Sequence, residues 1–218
     1  MLAPLILSFQ IAIVATSIAA ALGVAFGALL SRRFPGRDVL DVLVTAPVVL
    51  PPTVLGYYVL VVLGRRSTLG HAFEAITGAP IVFTRTGAVL AAVIGALPLT
   101  TKSARAALES VDRRLVLAAR TLGAGPLRAF WSVHLPLASR GILAGTMLGF
   151  ARSLGDFGVT LMVGGDIPGE TQTAALAIYD AIQAQRERDA ALLAGFLTVF
   201  GGVILYLVAK LTGRADGQ

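Results

Sequence analysis

The sequence has no cysteine, only two histidines and few charged residues, and each shortage excludes a class of protein. Without cysteine there is no disulfide and no thiolate metal site. His71 and His134 lie in different loops, and no His/carboxylate cluster has the spacing of metal ligands, so we predict no metal site. Charged residues make up 14% of the chain and hydrophobic residues 56%, which is not the composition of a soluble domain.

Two motif classes are also absent. The chain has neither the ingredients of a hydrolase motif nor a phosphate-binding glycine loop that ends in Lys-Ser or Lys-Thr. We therefore predict that this chain is not an enzyme by itself and binds no ATP or other cofactor.

Long uncharged runs predict a membrane protein. They cover residues 1–31, 42–64, 86–101 and 190–209, and a fifth apolar stretch contains two charges. About 20 apolar helical residues cross a hydrocarbon core about 30 Å thick, so three of the four uncharged runs are long enough by themselves. The run at 86–101 is too short, and its helix is expected to begin near residue 81. The first run is too long for a signal-peptide core and is expected to be retained. We predict one all-α integral membrane domain over 1–218 with five spans, at roughly 5–30, 42–63, 81–101, 141–163 and 190–209.

The distribution of Lys and Arg predicts the orientation. The 32–41 loop, the 102–140 loop and the tail after residue 209 hold twelve of these residues, whereas the 65–85 and 165–189 loops hold five. The positive-inside rule then places the N-terminus outside and the C-terminus in the cytoplasm, with residues 164–189 as an external cap. The net charge of +6 follows from this topology, so we do not predict a nucleic-acid partner.

The most informative part of the chain is the basic segment, residues 102–140, which holds seven of the eighteen Lys and Arg residues. Asp112 can cap a short helix by accepting N–H groups of its first turn. Gly123 can end that helix, because glycine adopts the left-handed conformation without a clash. Pro126 suits the first turn of a second helix, and Leu135-Pro136 is expected to close the segment. A helix-turn-helix on the basic side of a membrane protein predicts a docking site for a soluble partner.

The second span contains helix-breaking residues. Pro51 and Pro52 each remove a backbone donor, and such breaks persist in membranes only where protein or a water-filled cavity satisfies the freed carbonyls. Tyr57 follows and adds a hydroxyl group. A kink that serves packing is the first explanation of the prolines. The alternative is a bend that lines a pore or gate, with Pro51, Pro52 and Tyr57 as its candidate residues.

The fourth span combines small residues with two charges. Gly141, Gly145 and Gly149 recur every four residues, a spacing that lets helices approach closely. Arg152 and Asp156 are also four apart and can pair on one helical face. Each charge alone near mid-membrane costs about 2.5–3.5 kcal/mol on insertion scales, so both should face protein or water. A structural pair, a pore lining and a gate all remain open.

The basic segment resembles the cytoplasmic loop of permease subunits of ATP-binding-cassette (ABC) importers. That loop reads Glu-Ala-Ala, three residues, Gly, nine residues, Ile, any residue, Leu-Pro. This chain has Leu117 at the glutamate position. The remaining positions fit in spacing and are occupied by Ala118, Ala119, Gly123, Val133, Leu135 and Pro136. The resemblance implies a type I importer permease fold in which these residues contact an ATPase.

Further strings resemble molybdate permeases. They cover residues 34–36, 50–58, 64–66, 150–158 and 167–173, so the resemblance extends over roughly residues 5–210. It implies a homodimer in the lipid of a bacterial or archaeal inner membrane, on two ATPase subunits that bind ATP and Mg²⁺. It also implies an external molybdate-binding protein. In the external cap, the candidates for contact with that protein are Thr171, Gln172, Thr173 and Tyr179.

Three other readings of the transported ion remain open. Tungstate has nearly the same size and shape as molybdate, and sulfate and thiosulfate permeases share the region around Asp156. A different class, an ATP-independent carrier or channel, would not need the spacing of the basic segment. Co-purification with an ATPase separates that class from the ABC importers.

Overall fold

The structure is a computed structural model that describes residues 2–213, and every regular element in this range is helical. The prediction of an all-α protein is therefore confirmed. Met1 and residues 214–218 lie outside the described residues. The latter include Arg214, one of the two basic residues counted in the tail. The helices are α1 (Leu2–Leu30), α2 (Arg37–Val49), α3 (Pro52–Leu63), α4 (Thr68–Thr77), α5 (Arg85–Glu109), α6 (Arg113–Thr121), α7 (Pro126–Ala129), a π-helical turn (Phe130–His134), α8 (Leu135–Leu154), α9 (Gly158–Gly164), α10 (Ala174–Gln183) and α11 (Glu187–Gly213).

Within residues 2–213, three helices are long and apolar enough to cross a membrane alone: α1, α5 and α11. The bent pair α2 and α3 passes the same test when the two helices are taken together. Helix α8 has 20 residues and packs between α1, α5 and α11. The centre of the molecule is formed by α1, α5 and α8.

The second span differs from the single kinked helix expected over 42–63. Helices α2 and α3 meet at 119°, with the break at Leu50 and Pro51. A residue before proline is driven out of the helical region, and here two consecutive residues precede a proline. Both accordingly take extended backbone with ψ of 137°. Pro47, in contrast, is accommodated inside α2.

The fourth span also differs from the continuous helix expected over 141–163. Helix α8 ends at Leu154, and α9 begins at Gly158. The break forms because the Asp156 carboxylate accepts the backbone N–H of Thr160 and so satisfies the first turn of a new helix. The two breaks touch each other, since a Cβ on Gly158 would lie 2.5 Å from Pro52 Cβ.

The glycine stripe of α8 lies directly against α5. A Cβ on Gly141 would come within 2.7 Å of Ala107 Cβ, and one on Gly149 within 2.8 Å of Thr100 Cγ2. A Cβ on Gly145 would overlap the Ser103 side chain, because it would lie well within van der Waals contact distance of Ser103 Cβ. The two helices are therefore in backbone-to-side-chain contact along three turns.

Thr100 is the point at which α1, α5 and α8 meet. Its hydroxyl donates a hydrogen bond of 2.8 Å to the carbonyl of Ala19 on α1, and its side chain is buried. Gly23 of α1 and Gly149 of α8 both contact it from opposite helices. A hydrogen-bonded threonine between glycines fixes the spacing of the three central helices.

Candidate functional site

The basic segment forms the two predicted short helices, α6 and α7. The Asp112 carboxylate accepts the N–H of Arg114 at 2.8 Å, which caps α6. Gly123 has φ 89°, in the left-handed region. The N–H of Ala124 donates to the carbonyl of Ala119 at 3.1 Å, and the N–H of Gly123 donates to that of Arg120 at 3.1 Å. These two bonds define a Schellman motif, which satisfies the carbonyls at the end of α6.

Pro126 opens α7, as expected from its fixed φ, but the predicted closure at Leu135-Pro136 is wrong. The chain stays helical from Pro126 to Leu154. The reason is the π-helical turn, in which the N–H of Leu135 donates to the carbonyl of Phe130, five residues earlier. This wider turn accommodates the ring of Pro136, which would otherwise clash with the carbonyl four residues before it.

The surface of the basic segment is apolar as well as basic. No residue of α6 is buried. Leu122 is 88% exposed and Trp131 61% exposed, and Leu115, Leu117 and Leu127 are also exposed. Contiguous exposed apolar side chains of this kind mark interaction surfaces. Ala118 is exposed too, whereas Ala119, Val133 and Leu135 are half-buried.

The pair of charges in the fourth span is strongly asymmetric. The side chain of Asp156 is 2% exposed, and that of Arg152 is 37% exposed. The Asp156 carboxylate accepts from Arg152 Nη1 at 2.8 Å, from the Thr160 N–H at 3.0 Å and from the Thr160 hydroxyl at 2.6 Å. Asp156 is thus satisfied inside the protein, while most N–H donors of the guanidinium are left for other partners.

Arg152 lines a cavity of about 200 Å³ beside the break of the second span. A Cβ on Gly95 would lie 3.7 Å from Arg152 Cζ, so the small residue on α5 leaves room for the guanidinium. Two features that lie about 100 residues apart in the sequence, the proline break and the charge pair, therefore form one site. The other lining residues are Pro47, Val48, Leu50, Pro52, Leu55, Leu99 and Val159.

Three of the five pore or gate candidates, Pro51, Tyr57 and Asp156, are not among the residues that line this cavity. Pro51 forms the break but is not among the lining residues, and Tyr57 lines a separate cavity of about 890 Å³. That second cavity lies between α3, the start of α4 and residues 80–83. The structure therefore brings Pro52, Arg152 and Asp156 together and leaves Tyr57 elsewhere.

Two of the predicted contacts to a binding protein are wrong, because the side chains are buried. Thr171 accepts the N–H of Ile167 at 3.1 Å and donates to Gly165 at 3.2 Å. Thr173 caps α10 by accepting the N–H of Leu176 at 3.4 Å. Threonines near a helix start are common caps, and this signal was present in the sequence. Gln172 is half-buried and Tyr179 is exposed.

An ion-pair cluster between the start of α2 and the end of α5 was missed. The carboxylate of Asp41 binds Lys102 Nζ at 2.5 Å and Arg105 Nη1 at 2.9 Å, and Glu109 pairs with Arg105 at 2.9 Å and with Arg37 at 3.8 Å. The charges were visible at the ends of two apolar runs, but their adjacency depends on the tertiary fold.

Among the described residues, no group of three or more His, Cys, Asp and Glu side chains could hold a metal ion. An all-helical chain with several apolar spans, two broken helices and an arginine-lined cavity defines a multi-pass membrane transport subunit. The chain belongs to the family described as binding-protein-dependent transport system inner membrane component, whose model matches residues 13–215.

Individual relatives align over almost the whole chain. The molybdenum transport system permease protein ModB of Escherichia coli K12 is 40% identical over 214 residues, which are 98% of this chain and 93% of the relative. ModB of Haemophilus influenzae is 41% identical over 188 residues, 85% of this chain and 82% of the relative.

A solved structure has the same fold. A chain in the crystal structure of a bacterial alginate ABC transporter, in complex with an alginate pentasaccharide-bound periplasmic protein, matches with a TM-score of 0.75. Its sequence identity is 13%, and the match covers all of this chain and 80% of that chain. This likeness shows the type I importer permease fold.

Proposed function

We propose that this chain is the membrane-spanning subunit of an ATP-driven importer of molybdate. The observation that carries the proposal is its similarity, over 98% of its length, to a relative named as a molybdenum transport permease. Two copies of the chain would stand on two ATPase subunits, which bind ATP and Mg²⁺ themselves. An external molybdate-binding protein would deliver the anion, with Gln172 and Tyr179 as the remaining contact candidates.

In this proposal the basic segment docks the ATPase. Its exposed leucines and Trp131 supply apolar contact, and the exposed Arg114, Arg120 and Arg128 supply charge. The segment continues through the π-helical turn into α8, which carries Arg152 in its last turn. Helix α8 is about 30 Å long at 1.5 Å per residue, so this continuous helical segment extends from the docking surface to the cavity. A displacement of the docked segment would be transmitted along this helix.

Arg152 is the residue that we assign to the anion path. A guanidinium has a planar fork of N–H donors that suits an oxyanion. Asp156 uses one of its nitrogens and fixes the side chain toward the cavity, so Asp156 is a positioning residue. Mid-membrane arginine would attract an anion, and its partial neutralisation by Asp156 would keep that attraction moderate.

The proposed orientation places the basic segment in the cytoplasm. A reporter that is active only outside the cytoplasm should work when fused after Asp166 or Glu170, which lie between α9 and α10. It should fail when fused after Arg113 or Lys210. The reverse pattern of reporter activity would invert the orientation, and activity at all four positions would contradict the multi-pass topology.

Gly123→Val tests both the docking assignment and the importer. Gly123 has φ 89°, where a branched side chain costs about 1–2 kcal/mol, so the Schellman turn should open and α6 should be misplaced. The variant should insert normally, yet lose most ATPase co-purification and most uptake of labelled molybdate. Competition by unlabelled tungstate, sulfate and thiosulfate in the parent strain identifies the anion.

The matched control is Gly78→Val. Gly78 has φ 74° at the end of α4, and neither it nor Gly123 has any atom within 4 Å of an added Cβ. The backbone penalty is therefore similar, but the position is remote from the basic segment. Unchanged ATPase binding and uptake in Gly123→Val would refute the docking role. Uptake that survives without the ATPase would instead indicate an ATP-independent carrier.

A further inference from the structure

A second charged cavity, of about 550 Å³, lies on the face that carries the basic segment. It is enclosed by the loop after α1, the C-terminal end of α5 and the start of α6. It shares no lining residue with the Arg152 cavity. Its polar lining residues are Ser31, Arg32, Arg33, Glu109, Arg113 and His134.

The three arginines of this cavity are unpaired. Among residues 2–213, Arg32, Arg33 and Arg113 have neither an ion pair nor a side-chain hydrogen bond. The neighbouring Arg37 and Arg105 differ, since both are paired with carboxylates.

The acidic residue in the lining does not neutralise them. Glu109 is already held by Arg105 at 2.9 Å and by Arg37 at 3.8 Å. The hydroxyl of Ser31 donates to the carbonyl of Gly27 at 2.7 Å, and His134 Nε2 lies 2.9 Å from the carbonyl of Leu108. The wall is therefore fixed by internal bonds, and three guanidinium groups remain to meet a ligand.

We propose that this cavity binds a doubly charged tetrahedral oxyanion group. Guanidinium groups bind phosphate-type oxygens with two parallel N–H donors, and three like charges around one cavity repel each other until an anion is bound. The group is either a free oxyanion, such as inorganic phosphate, or the phosphate of an anionic lipid headgroup at this membrane surface. The proposal holds whichever anion the protein transports.

Such a ligand would tie the docking surface to the membrane helices. Arg32 and Arg33 follow α1, whereas Arg113 begins α6, none of whose residues is buried. An anion held between them would bridge these elements, between which the described residues 2–213 provide no ion pair. Occupancy would therefore restrain the movement of α6 relative to α1 and α5.

The test uses the assembled transporter, co-purified with its ATPase, in nanodiscs. In the first arm, nanodiscs of phosphatidylcholine alone are titrated with labelled inorganic phosphate at low ionic strength. In the second arm, nanodiscs also contain phosphatidic acid, and native mass spectrometry counts the retained lipids. The cavity variants are the double variant Arg32→Gln/Arg33→Gln and, independently, Arg113→Gln. The matched control is Arg140→Gln, an exposed arginine of the basic segment outside the cavity.

We expect either cavity variant to weaken binding about tenfold or more, since each removes charged hydrogen bonds. Arg140→Gln and Arg152→Gln should bind like the parent, and higher salt should weaken binding further. Phosphate binding in the first arm identifies a free anion as the ligand, and retention in the second arm alone identifies a headgroup. The proposal fails if neither arm responds to the cavity variants, or if Arg140→Gln or Arg152→Gln lowers binding equally. Uptake of labelled molybdate by the parent protein is measured separately, so a failure of this proposal and a failure of the proposed function are distinguishable.

Discussion

Replacing Asp156 with alanine is expected to remove most of the folded protein from the membrane. The carboxylate is almost fully buried and accepts three hydrogen bonds, two of them from Thr160 in the first turn of α9. The substitution leaves the N–H and the hydroxyl of the buried Thr160 without their acceptor, and an unsatisfied buried donor typically costs about 1–3 kcal/mol. The measurement is the amount of monodisperse protein recovered from membranes. Asp156→Asn keeps an oxygen for the Thr160 N–H, so its yield should be intermediate.

The contrasting variant is Arg152→Ala. The loss of the Arg152 side chain leaves the buried Asp156 carboxylate without a cation but still bonded to Thr160 through two hydrogen bonds, so the protein should be recovered in reduced amount, yet in larger amount than Asp156→Ala. Uptake of molybdate should nevertheless fall strongly, because the cavity loses its cation. The double variant should be recovered as poorly as Asp156→Ala. Equal instability of both single variants with recovery in the double variant would show that the pair is only structural.

Gly145→Val is expected to separate α5 from α8. A Cβ at this position already overlaps the side chain of Ser103, and valine adds two methyl groups. Overpacking a close helix contact typically costs about 1–3 kcal/mol. The close contacts of Gly141 and Gly149 with α5 also oppose the separation of the two helices that valine requires. The thermal midpoint of the solubilised protein should therefore fall by several degrees, with a matching loss of uptake.

Gly195→Val is the control for this substitution. Gly195 lies within α11, and an added Cβ there meets no atom within 4 Å. Both variants carry the same β-branched residue in a helix, so the difference between their thermal midpoints isolates the contact with Ser103. Equal midpoints would contradict close packing of α5 on α8.

The basic segment could be predicted in detail because its signals are local. Asp112, Gly123 and Pro126 each act on atoms within a few residues along the chain. Capping and left-handed turns depend on side-chain chemistry alone, so no knowledge of the tertiary fold is needed. Only the π-helical turn escaped, because the sequence pattern around Pro136 also fits a simple helix end.

The cavity around Arg152 could be predicted only in part. The charge pair and the prolines were visible, but nothing local places residue 152 beside residues 50 to 52. The break after Leu154 had a signal in Gly155 and Gly158, yet a membrane helix tolerates glycines. The burial of the two threonines in the external cap could not be predicted, because Thr171 turns back onto Gly165 and Ile167 of its own loop and the chain next to Thr173 is held by the Ser8 hydroxyl of α1, which accepts the N–H of Ala174.

The break at Leu50 and Pro51 separates one span into two helices, α2 and α3, that pack against different parts of the protein. Helix α2 is attached by Asp41 to the basic end of α5, whereas α3 packs against α9. Leu55 and Val59 of α3 share an apolar cluster with Val163 of α9. Ala91 of α5 belongs to the same cluster, so α5 packs on both halves of the span. A movement of the basic end of α5 relative to this cluster would therefore bend the extended backbone between α2 and α3. The span would therefore bend at this break, which lies at the wall of the Arg152 cavity.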